Sequence, residues 1–361
     1  MTTSARIDWG RSARIAEHIF DTIGRTPLVR LSRLTAGTDL ELLGKLEYFS
    51  PSGSLKDRIY LQMFRAAEAS GALKPGMTVL ECSTGNAGIA CSFVAAALGY
   101  PCIIVMPEGM SEERKKLDLA YGSRMVYTPG GESDVDLALA RLEEIRAEDP
   151  DRYWVPAQFD NPENVAAHAT GTAPELWEQT NGTVDAFVAT QGTGGTISGI
   201  ARHFRERGSA AKFFAIEPAE CPLLARREWG PHGIEGIGDG FVPHNLHLEH
   251  LAGVITVSTA EAVATAQRMA REEGVFCGIS SGANVAAELK LHARVPALKR
   301  IVTMINDTGQ RYFSTPLCGA EKHVEVPERE HPMDARTVAE LDRYQAGWLI
   351  VDDPLRSQGG A

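Results

Sequence analysis

The sequence lacks any apolar run that approaches the roughly 20 residues needed to span a bilayer. It also lacks an excess of positive charge, since 36 Lys and Arg face 47 Asp and Glu and the formal net charge is −11. An acidic chain without a long basic run is a poor partner for nucleic acid or for an anionic membrane surface. These absences predict a protein that binds neither nucleic acid nor membrane.

Paired cysteine motifs are also missing. The six cysteines are scattered and none forms a C-x-x-C pair, so the spacing gives no reason to predict a metal site. A chain of 361 residues can bury its own cores without a disulfide framework. The first 20 residues carry arginines but no apolar segment typical of a secretory signal. We therefore expect free thiols and a cytoplasmic location.

Short apolar runs that alternate with helical patterns dominate the chain. Alternation of this kind predicts βαβ units and parallel sheets, and runs that are apolar throughout indicate strands covered on both faces. The strand-like runs are MTVLEC, PCIIVMP, RMVYTP, VDAFVAT, KFFAIEP, GVITVS and RIVTMIND. The sequence thus predicts an α/β protein with two open, twisted, mostly parallel sheets flanked by helices.

The order of these runs predicts two domains and a C-terminal extension. The larger domain combines residues 1–49 with 162–320, and the smaller, mobile, substrate-binding domain covers 50–161. The extension, 321–361, starts polar and offers one helical stretch near 334–347.

A glycine-rich turn, TQGTGGTISG at 190–199, follows one of the predicted strands and opens a helix. Converging backbone N–H groups and the positive end of the helix dipole make such a turn an anion site. Gly192, Gly194 and Gly195 form its backbone, and Thr193 and Thr196 add hydroxyl groups.

The phosphate ligand of this turn has more than one candidate. Gly192 and Gly194 fit a dinucleotide fingerprint and Glu217 could bind a ribose, but Ile197 stands where the third glycine belongs. A Walker loop is excluded because no Gly-Lys-Ser/Thr follows. An NAD-dependent oxidoreductase is therefore a weak alternative. The other alternative is a tight turn between strand and helix that binds no ligand.

Two further polar turns open predicted helices. CSTGNAG at 82–88 offers Ser83, Thr84 and Asn86 beside free N–H groups, which suits a carboxylate or, alternatively, ordinary helix capping. CGISSGAN at 277–284 offers Ser280 and Ser281, which by themselves are typical helix caps.

A single lysine, Lys56, sits in the stretch SPSGSLKDR, behind a Pro/Gly turn that gives a rigid backbone. An arbitrary lysine is a solvated surface residue. A lysine amine can also form a Schiff base with an aldehyde cofactor. One lysine, a phosphate site and a carboxylate site together indicate pyridoxal 5'-phosphate.

The chain resembles the cysteine synthase and cystathionine β-synthase family over residues 20–317. These are pyridoxal-phosphate enzymes of the tryptophan-synthase-β-like fold, or fold type II. The motifs that carry the resemblance occur in the family's order: IGRTPLVRL, SPSGSLKDR, CSTGNAGIA, IIVMPEGMSEERKKL, QFDNPEN, GTGGTISG, IEGIGDGFVP, GISSGA and GQRYFST.

The resemblance implies roles for individual residues. Lys56 would be the Schiff-base lysine and the acid–base group for the α-proton, and the segment 192–196 would hold the cofactor phosphate. Asn86 would bind the pyridine 3-oxygen, and Ser280 would face the pyridine nitrogen, where a neutral hydroxyl favours β-elimination over transamination. Ser83, Thr84, Ala87 and Gln158 would bind the substrate carboxylate, although Ala87 replaces the usual hydroxyl and can contribute only backbone.

The resemblance also implies an activity. The expected reaction is β-replacement on an activated L-serine, through an aminoacrylate intermediate, by a sulfur nucleophile, in a homodimeric enzyme. The product would be L-cysteine or an S-substituted cysteine. Alternatives are a serine or threonine dehydratase, replacement by homocysteine or an amine, and a binding protein with an inactive site, against which the intact Lys56 argues.

Three charged residues leave the donor open between O-acetyl-L-serine and O-phospho-L-serine. Asp239 stands where small residues are common in cysteine synthases and would repel a dianionic donor. Arg226 and Arg227 precede the motif GIEGIG and could bind a phosphate, or could be exposed helix arginines.

Overall fold

The computed structural model describes residues 15–83, 85–131, 134–318 and 332–351. Within these ranges eleven strands form two sheets. The strands are β1 (Leu28–Arg30), β2 (Glu41–Leu46), β3 (Thr78–Cys82), β4 (Cys102–Pro107), β5 (Arg124–Thr128), β6 (Tyr153–Trp154), β7 (Ala186–Thr190), β8 (Lys212–Pro218), β9 (Leu251–Val257), β10 (Arg300–Ile305) and β11 (Leu349–Val351).

Helices connect most of these strands. The α-helices are α1 (Lys56–Ser70), α2 (Asn86–Leu98), α3 (Glu112–Ala120), α4 (Val135–Glu148), α5 (Pro162–Ala167), α6 (Ala173–Thr180), α7 (Gly195–Glu206), α8 (Leu223–Arg226), α9 (Thr259–Arg268), α10 (Ile279–Arg294) and α11 (Ala335–Tyr344). Short 3₁₀ segments lie at Ile19–Thr22, Glu47–Phe49, Leu248–His250, Gly309–Tyr312 and Gln345–Gly347, and π-helical turns at His168–Thr172 and Met269–Glu273.

The larger sheet has the order β1-β2-β10-β7-β8-β9-β11, and only the β1–β2 pair is antiparallel. The smaller sheet has the order β5-β4-β3-β6, with every pair parallel. This architecture confirms the predicted α/β class with two mainly parallel sheets flanked by helices.

Both faces of the larger sheet are buried, as parallel strands require. Phe187 and Phe213 point into the core that contains Phe204 of α7. Their chain neighbours Val188 and Phe214 point into the opposite core, which contains residues of α9 and α10. Because both faces of these strands are buried, their sequences are continuous apolar runs.

Polar residues follow directly after the carboxyl ends of three strands. β3 ends at Cys82 before Ser83, β7 ends at Thr190 before the glycine-rich turn, and β10 ends at Ile305 before Asn306. Ligands of open α/β sheets bind at the carboxyl ends of the strands. The fold therefore directs these residues toward one place.

All seven predicted strand-like runs form strands, whereas β1, β2, β6 and β11 were not predicted. The division into domains stays a prediction, and the structure adds that β11 extends the larger sheet by pairing with β9. All six cysteines are free thiols, and only Cys318 is exposed. Over the described ranges, no helix combines the length and apolarity that crossing a bilayer demands.

Candidate active site

One cavity brings together most of the residues predicted from the sequence. It lies where the carboxyl ends of both sheets converge. Its lining includes Lys56, Ser83, Asn86, Ala87, Gln158, Gly192, Thr193, Gly194, Thr196 and Ser280. Gly195 lies between two of these lining residues, and Thr84 is outside the described residues.

Lys56 is the first residue of α1, and the turn before it is tied to the end of β10. The amide of Leu55 donates to the carbonyl of Asn306 at 2.9 Å, and Ser54 forms a β-bridge with Asp307. Lys56 Nζ lies 3.2 Å from Gln158 Oε1, to which it donates. The amine is therefore held at the cavity wall and does not extend into solvent.

Burial lowers the pKa of Lys56 from 10.5 to about 8, and the negative charges of Asp239 and Glu81 oppose this shift. Removing an ammonium from water disfavours its charged form. A pKa near 8 leaves a usable fraction of neutral amine at physiological pH, which a nucleophilic or basic lysine needs.

The two charged residues after Lys56 make structural contacts. Asp57 accepts hydrogen bonds from the amide and the hydroxyl of Ser52, which closes the turn. Arg58 donates to Glu47 at 2.7 Å and to Glu175 at 2.8 Å, and all three side chains are buried. These contacts fix the start of α1 on the larger sheet.

The glycine-rich turn places the N-terminus of α7 at the cavity. Gly194 has φ +79°, in the left-handed region that favours glycine, and a Cβ there would lie 2.5 Å from the Cβ of Leu246. A Cβ on Gly195 would overlap the side chain of Asn164. Packing against the protein itself thus requires both glycines, in addition to any approach of a ligand.

Two residues that the sequence analysis did not identify support this turn. Asn164 Nδ2 donates to Thr193 Oγ1 at 2.9 Å and to the carbonyl of Gln158 at 2.8 Å. His168 Nε2 lies 3.2 Å from Thr196 Oγ1, and burial lowers the pKa of His168 to about 3. Asn164 stands in the motif QFDNPEN, but no local signal marks His168.

Ser83 and Asn86 already have partners. Ser83 Oγ accepts from the amides of Gly85 at 3.0 Å and Gly88 at 2.6 Å, so its hydroxyl caps the start of α2. Asn86 Nδ2 donates to Asp307 at 2.6 Å, and its Oδ1 accepts from Arg311. Their proposed ligand contacts would have to replace or supplement these bonds, and both roles stay predictions.

Ser280 lies at the start of α10 and lines the cavity. Its hydroxyl accepts from Asn306 Nδ2 at 3.0 Å. The side chain is neutral and 4% exposed, which fits the role beside a pyridine nitrogen that the family resemblance implies.

Three charged side chains complete the lining. Arg114 pairs with Glu235 and donates to the hydroxyl of Tyr312 at 2.6 Å. Asp239 lies in the loop that follows α8 and is 7% exposed. Burial raises the pKa of Asp239 to about 6, while Lys56 acts against that rise.

Arg226 and Arg227 do not line the cavity. Arg227 pairs with Asp342 and donates to Gln345 at 3.0 Å, so it holds the C-terminal part of the chain. The interpretation of this arginine as a phosphate-binding residue of the site is therefore not supported.

One surface group has the composition of a metal site. Ligand atoms of His247, Glu249 and His250 lie within 4.8 Å of one another, outside the cavity. Arg205 donates to the carbonyl of His250 at 3.1 Å. Burial lowers the pKa of His250, the charge of Glu249 opposes this shift, and Arg205 adds to it. This group plays no part in the cavity.

The donor groups of the cavity fit pyridoxal 5'-phosphate. The first N–H groups of a helix have no intrahelical partner, and those of α7 stand beside the hydroxyls of Thr193 and Thr196. An amine, Lys56, and a neutral hydroxyl, Ser280, line the same cavity. The phosphate, the aldehyde and the ring nitrogen of the cofactor would each have a matching group in this cavity.

Comparison with known proteins gives consistent results. A family model described as "pyridoxal-phosphate dependent enzyme" matches residues 19–307. A cysteine synthase of Staphylococcus aureus is 41% identical over 302 residues, which are 83% of this chain and 96% of the relative.

Solved structures of similar proteins cover nearly the whole chain. A crystal structure of cysteine synthase from Entamoeba histolytica superposes with a TM-score of 0.80 and 34% identity, over 96% of this chain and 98% of that one. A crystal structure of O-ureido-L-serine synthase also has a TM-score of 0.80, with 39% identity over 86% of this chain and 98% of that one.

Proposed function

The chain belongs to the pyridoxal-phosphate dependent enzyme family, and from that premise we propose that it is a cysteine synthase-like transferase. Its reaction is β-replacement on an activated L-serine by a sulfur nucleophile, which gives L-cysteine or an S-substituted cysteine. The observation that carries the proposal is the arrangement of Lys56, the 192–196 turn and the 83–88 turn around one cavity.

The residues around the cavity divide the work of holding the cofactor. Lys56 Nζ would bind the aldehyde carbon of the cofactor. The N-terminus of α7, with Thr193 and Thr196, would bind the phosphate, and Ser280 would bind the ring nitrogen. When bound, the cofactor supplies a conjugated ring that accepts the electron pair released at the substrate Cα.

Lys56 then serves as the acid–base group of the chain. With the cofactor bound, Lys56 Nζ would hold or accept the proton at the substrate Cα, and its lowered pKa of about 8 in the protein alone suits an amine that exchanges protons. Gln158 Oε1 accepts a hydrogen bond from this nitrogen and orients it. Ser83, Ala87 and Gln158 would hold the substrate carboxylate through backbone N–H and side-chain donors, and Thr84, which lies outside the described residues, has the same predicted role.

Three finer proposals accompany the activity. Six free cysteines, five of them buried, suit a reducing cytoplasm. The family resemblance favours a homodimer, which light scattering on the purified protein would test. Contacts across the cavity, such as Asn86 with Asp307, would form and break if the smaller domain moves when substrate binds.

The test is product analysis with the holoenzyme. Incubation with O-acetyl-L-serine and sulfide should give cysteine, and borohydride reduction followed by peptide mapping should find the cofactor on Lys56. Lys56→Ala should lose about 10²–10⁴-fold or more in activity, the range ascribed to a positioned proton-transfer group, and should not be labelled. Lys74→Ala, which changes an exposed lysine, is the matched control. Pyruvate as the main product in the presence of sulfide would indicate a dehydratase instead.

A further inference from the structure

Asp239 is a charged residue of the cavity to which the proposed mechanism assigns no contact with cofactor or substrate. It lies in the loop between α8 and β9, is buried, and lines the same cavity as Lys56. Apart from its own amide, no described residue donates a hydrogen bond to its carboxylate. Burial of a carboxylate without such donors is unfavourable, so the residue calls for a functional explanation.

The other charges of the lining do not balance Asp239. Arg114 is paired with Glu235 and is held by Tyr312, so this pair adds no net charge. Lys56 is the cation whose charge acts on Asp239, and the mechanism commits its amine to the cofactor and to the substrate proton. The wall that carries Asp239 therefore presents a net negative charge to the substrate.

Among the lining residues that the structure describes, no second group is suited to a phosphate. The turn at 192–196 is assigned to the cofactor phosphate, and Arg227 is engaged with Asp342 outside the cavity. A donor whose leaving group is a dianion would meet a carboxylate at this wall without a free guanidinium to offset it. Like charges in a partly buried site repel strongly, because little water screens them.

We propose that Asp239 is a specificity-determining residue that excludes donors with a dianionic leaving group. Donors with an uncharged leaving group, such as O-acetyl-L-serine, are not repelled by this carboxylate, so Asp239 sets the preference between the two donors. This inference rests on the proposed function and identifies the residue that sets donor preference in the same cavity.

The test compares two donors in three forms of the holoenzyme. Wild type should prefer O-acetyl-L-serine to O-phospho-L-serine in kcat/KM. Asp239→Asn keeps the shape and removes the charge, and should raise kcat/KM for O-phospho-L-serine about tenfold to a hundredfold, chiefly through KM. Because Asp239 also raises the pKa of Lys56, the substitution can change the rates with both donors, so the ratio of the two kcat/KM values is the quantity that tests the inference. Asp151→Asn, at an exposed position, should change neither value.

A binding measurement separates this inference from the proposed function. Titration of the holoenzyme with L-2-amino-4-phosphonobutyrate, a phosphonate analogue of O-phospho-L-serine whose side chain cannot leave, and with L-serine, followed by the absorbance of the bound cofactor, gives both Kd values without turnover. Asp239→Asn should tighten the phosphonate relative to L-serine about tenfold or more even if sulfide proves not to be the nucleophile.

Each result has one meaning. An unchanged ratio, between the two donors in kcat/KM and between the two ligands in Kd, overturns the role of Asp239 while leaving the β-replacement activity intact. An equal loss for both donors identifies Asp239 as a structural residue and also overturns the inference. Asp239→Ser, a small neutral side chain, repeats the comparison should the asparagine variant fold poorly.

Discussion

Lys56 shows how surroundings change the chemistry of one residue. A solvated lysine is almost fully protonated at neutral pH, but burial of Lys56 beside Gln158 lowers its pKa to about 8. Asp239 and Glu81 limit this shift, since a nearby negative charge favours the ammonium form. The cavity thus holds an amine that is nucleophilic yet still able to return a proton.

The rate at which the apo-protein binds the cofactor covalently should follow this pKa. Only the neutral amine attacks an aldehyde, so the rate should rise with pH and level off above about pH 8. With an ordinary lysine the rate would keep rising up to about pH 10.4. Stopped-flow absorbance across pH 6 to pH 10 provides the measurement.

Removal of the charge at Asp239 checks the cause of that midpoint. The carboxylate raises the pKa of Lys56, so Asp239→Asn should move the midpoint to lower pH. A rate in wild type that still climbs in proportion to hydroxide at pH 10 would contradict a buried Lys56.

At the scale of elements, helix α1 depends on ionic contacts made immediately after the lysine. Arg58 lies between Glu47, which follows β2, and Glu175 of α6, and Lys45 contacts Glu175 at 2.8 Å. The two carboxylates and two cations compensate one another away from water. Loss of one member leaves an unpaired buried charge, which costs more than the pair itself contributes.

We therefore expect Arg58→Met to lower the free energy of unfolding by about 3–5 kcal/mol, the usual cost of breaking a buried ion pair. Arg65→Met is the matched control, because Arg65 is exposed on the same helix, and it should change stability by no more than about 0.5 kcal/mol. Urea denaturation of both variants and of wild type gives the comparison. Equal stability of the two variants would show that the cluster does not hold α1.

At the scale of the whole molecule, the segment 332–351 packs on the larger sheet and its core. β11 pairs with β9 at the edge of the larger sheet. Gln345 Nε2 donates to the carbonyls of Leu224 at 2.8 Å and Ala225 at 2.6 Å, and Leu341 of α11 is fully buried in the core around α7. This segment covers an edge strand and satisfies the last carbonyls of α8.

Leu341→Ala should consequently destabilise the protein by about 2–5 kcal/mol, the cost of a cavity in a packed core. Leu119→Ala, at a side chain that is 54% exposed, should have an effect of about 0.5 kcal/mol or less. Thermal and urea unfolding monitored by circular dichroism would measure both. If the two substitutions have equal effects, α11 does not belong to the folded core.

The sequence by itself determined the local features of this protein. Apolar runs marked seven of the strands, because a strand buried on both faces needs apolar side chains throughout. Glycine-rich and hydroxyl-rich turns marked the starts of α2, α7 and α10, since the capping of a helix depends on adjacent residues. Lys56 stood out because its turn is encoded within nine residues.

Only the tertiary structure decided which distant groups meet. It tied Asn86 to Asp307, turned Arg227 toward Asp342, and placed His168 against Thr196. It also added β11 to a sheet whose other strands end more than 40 residues earlier in the chain. Such pairings depend on how separate elements pack, and a local pattern contains no record of a partner many residues away.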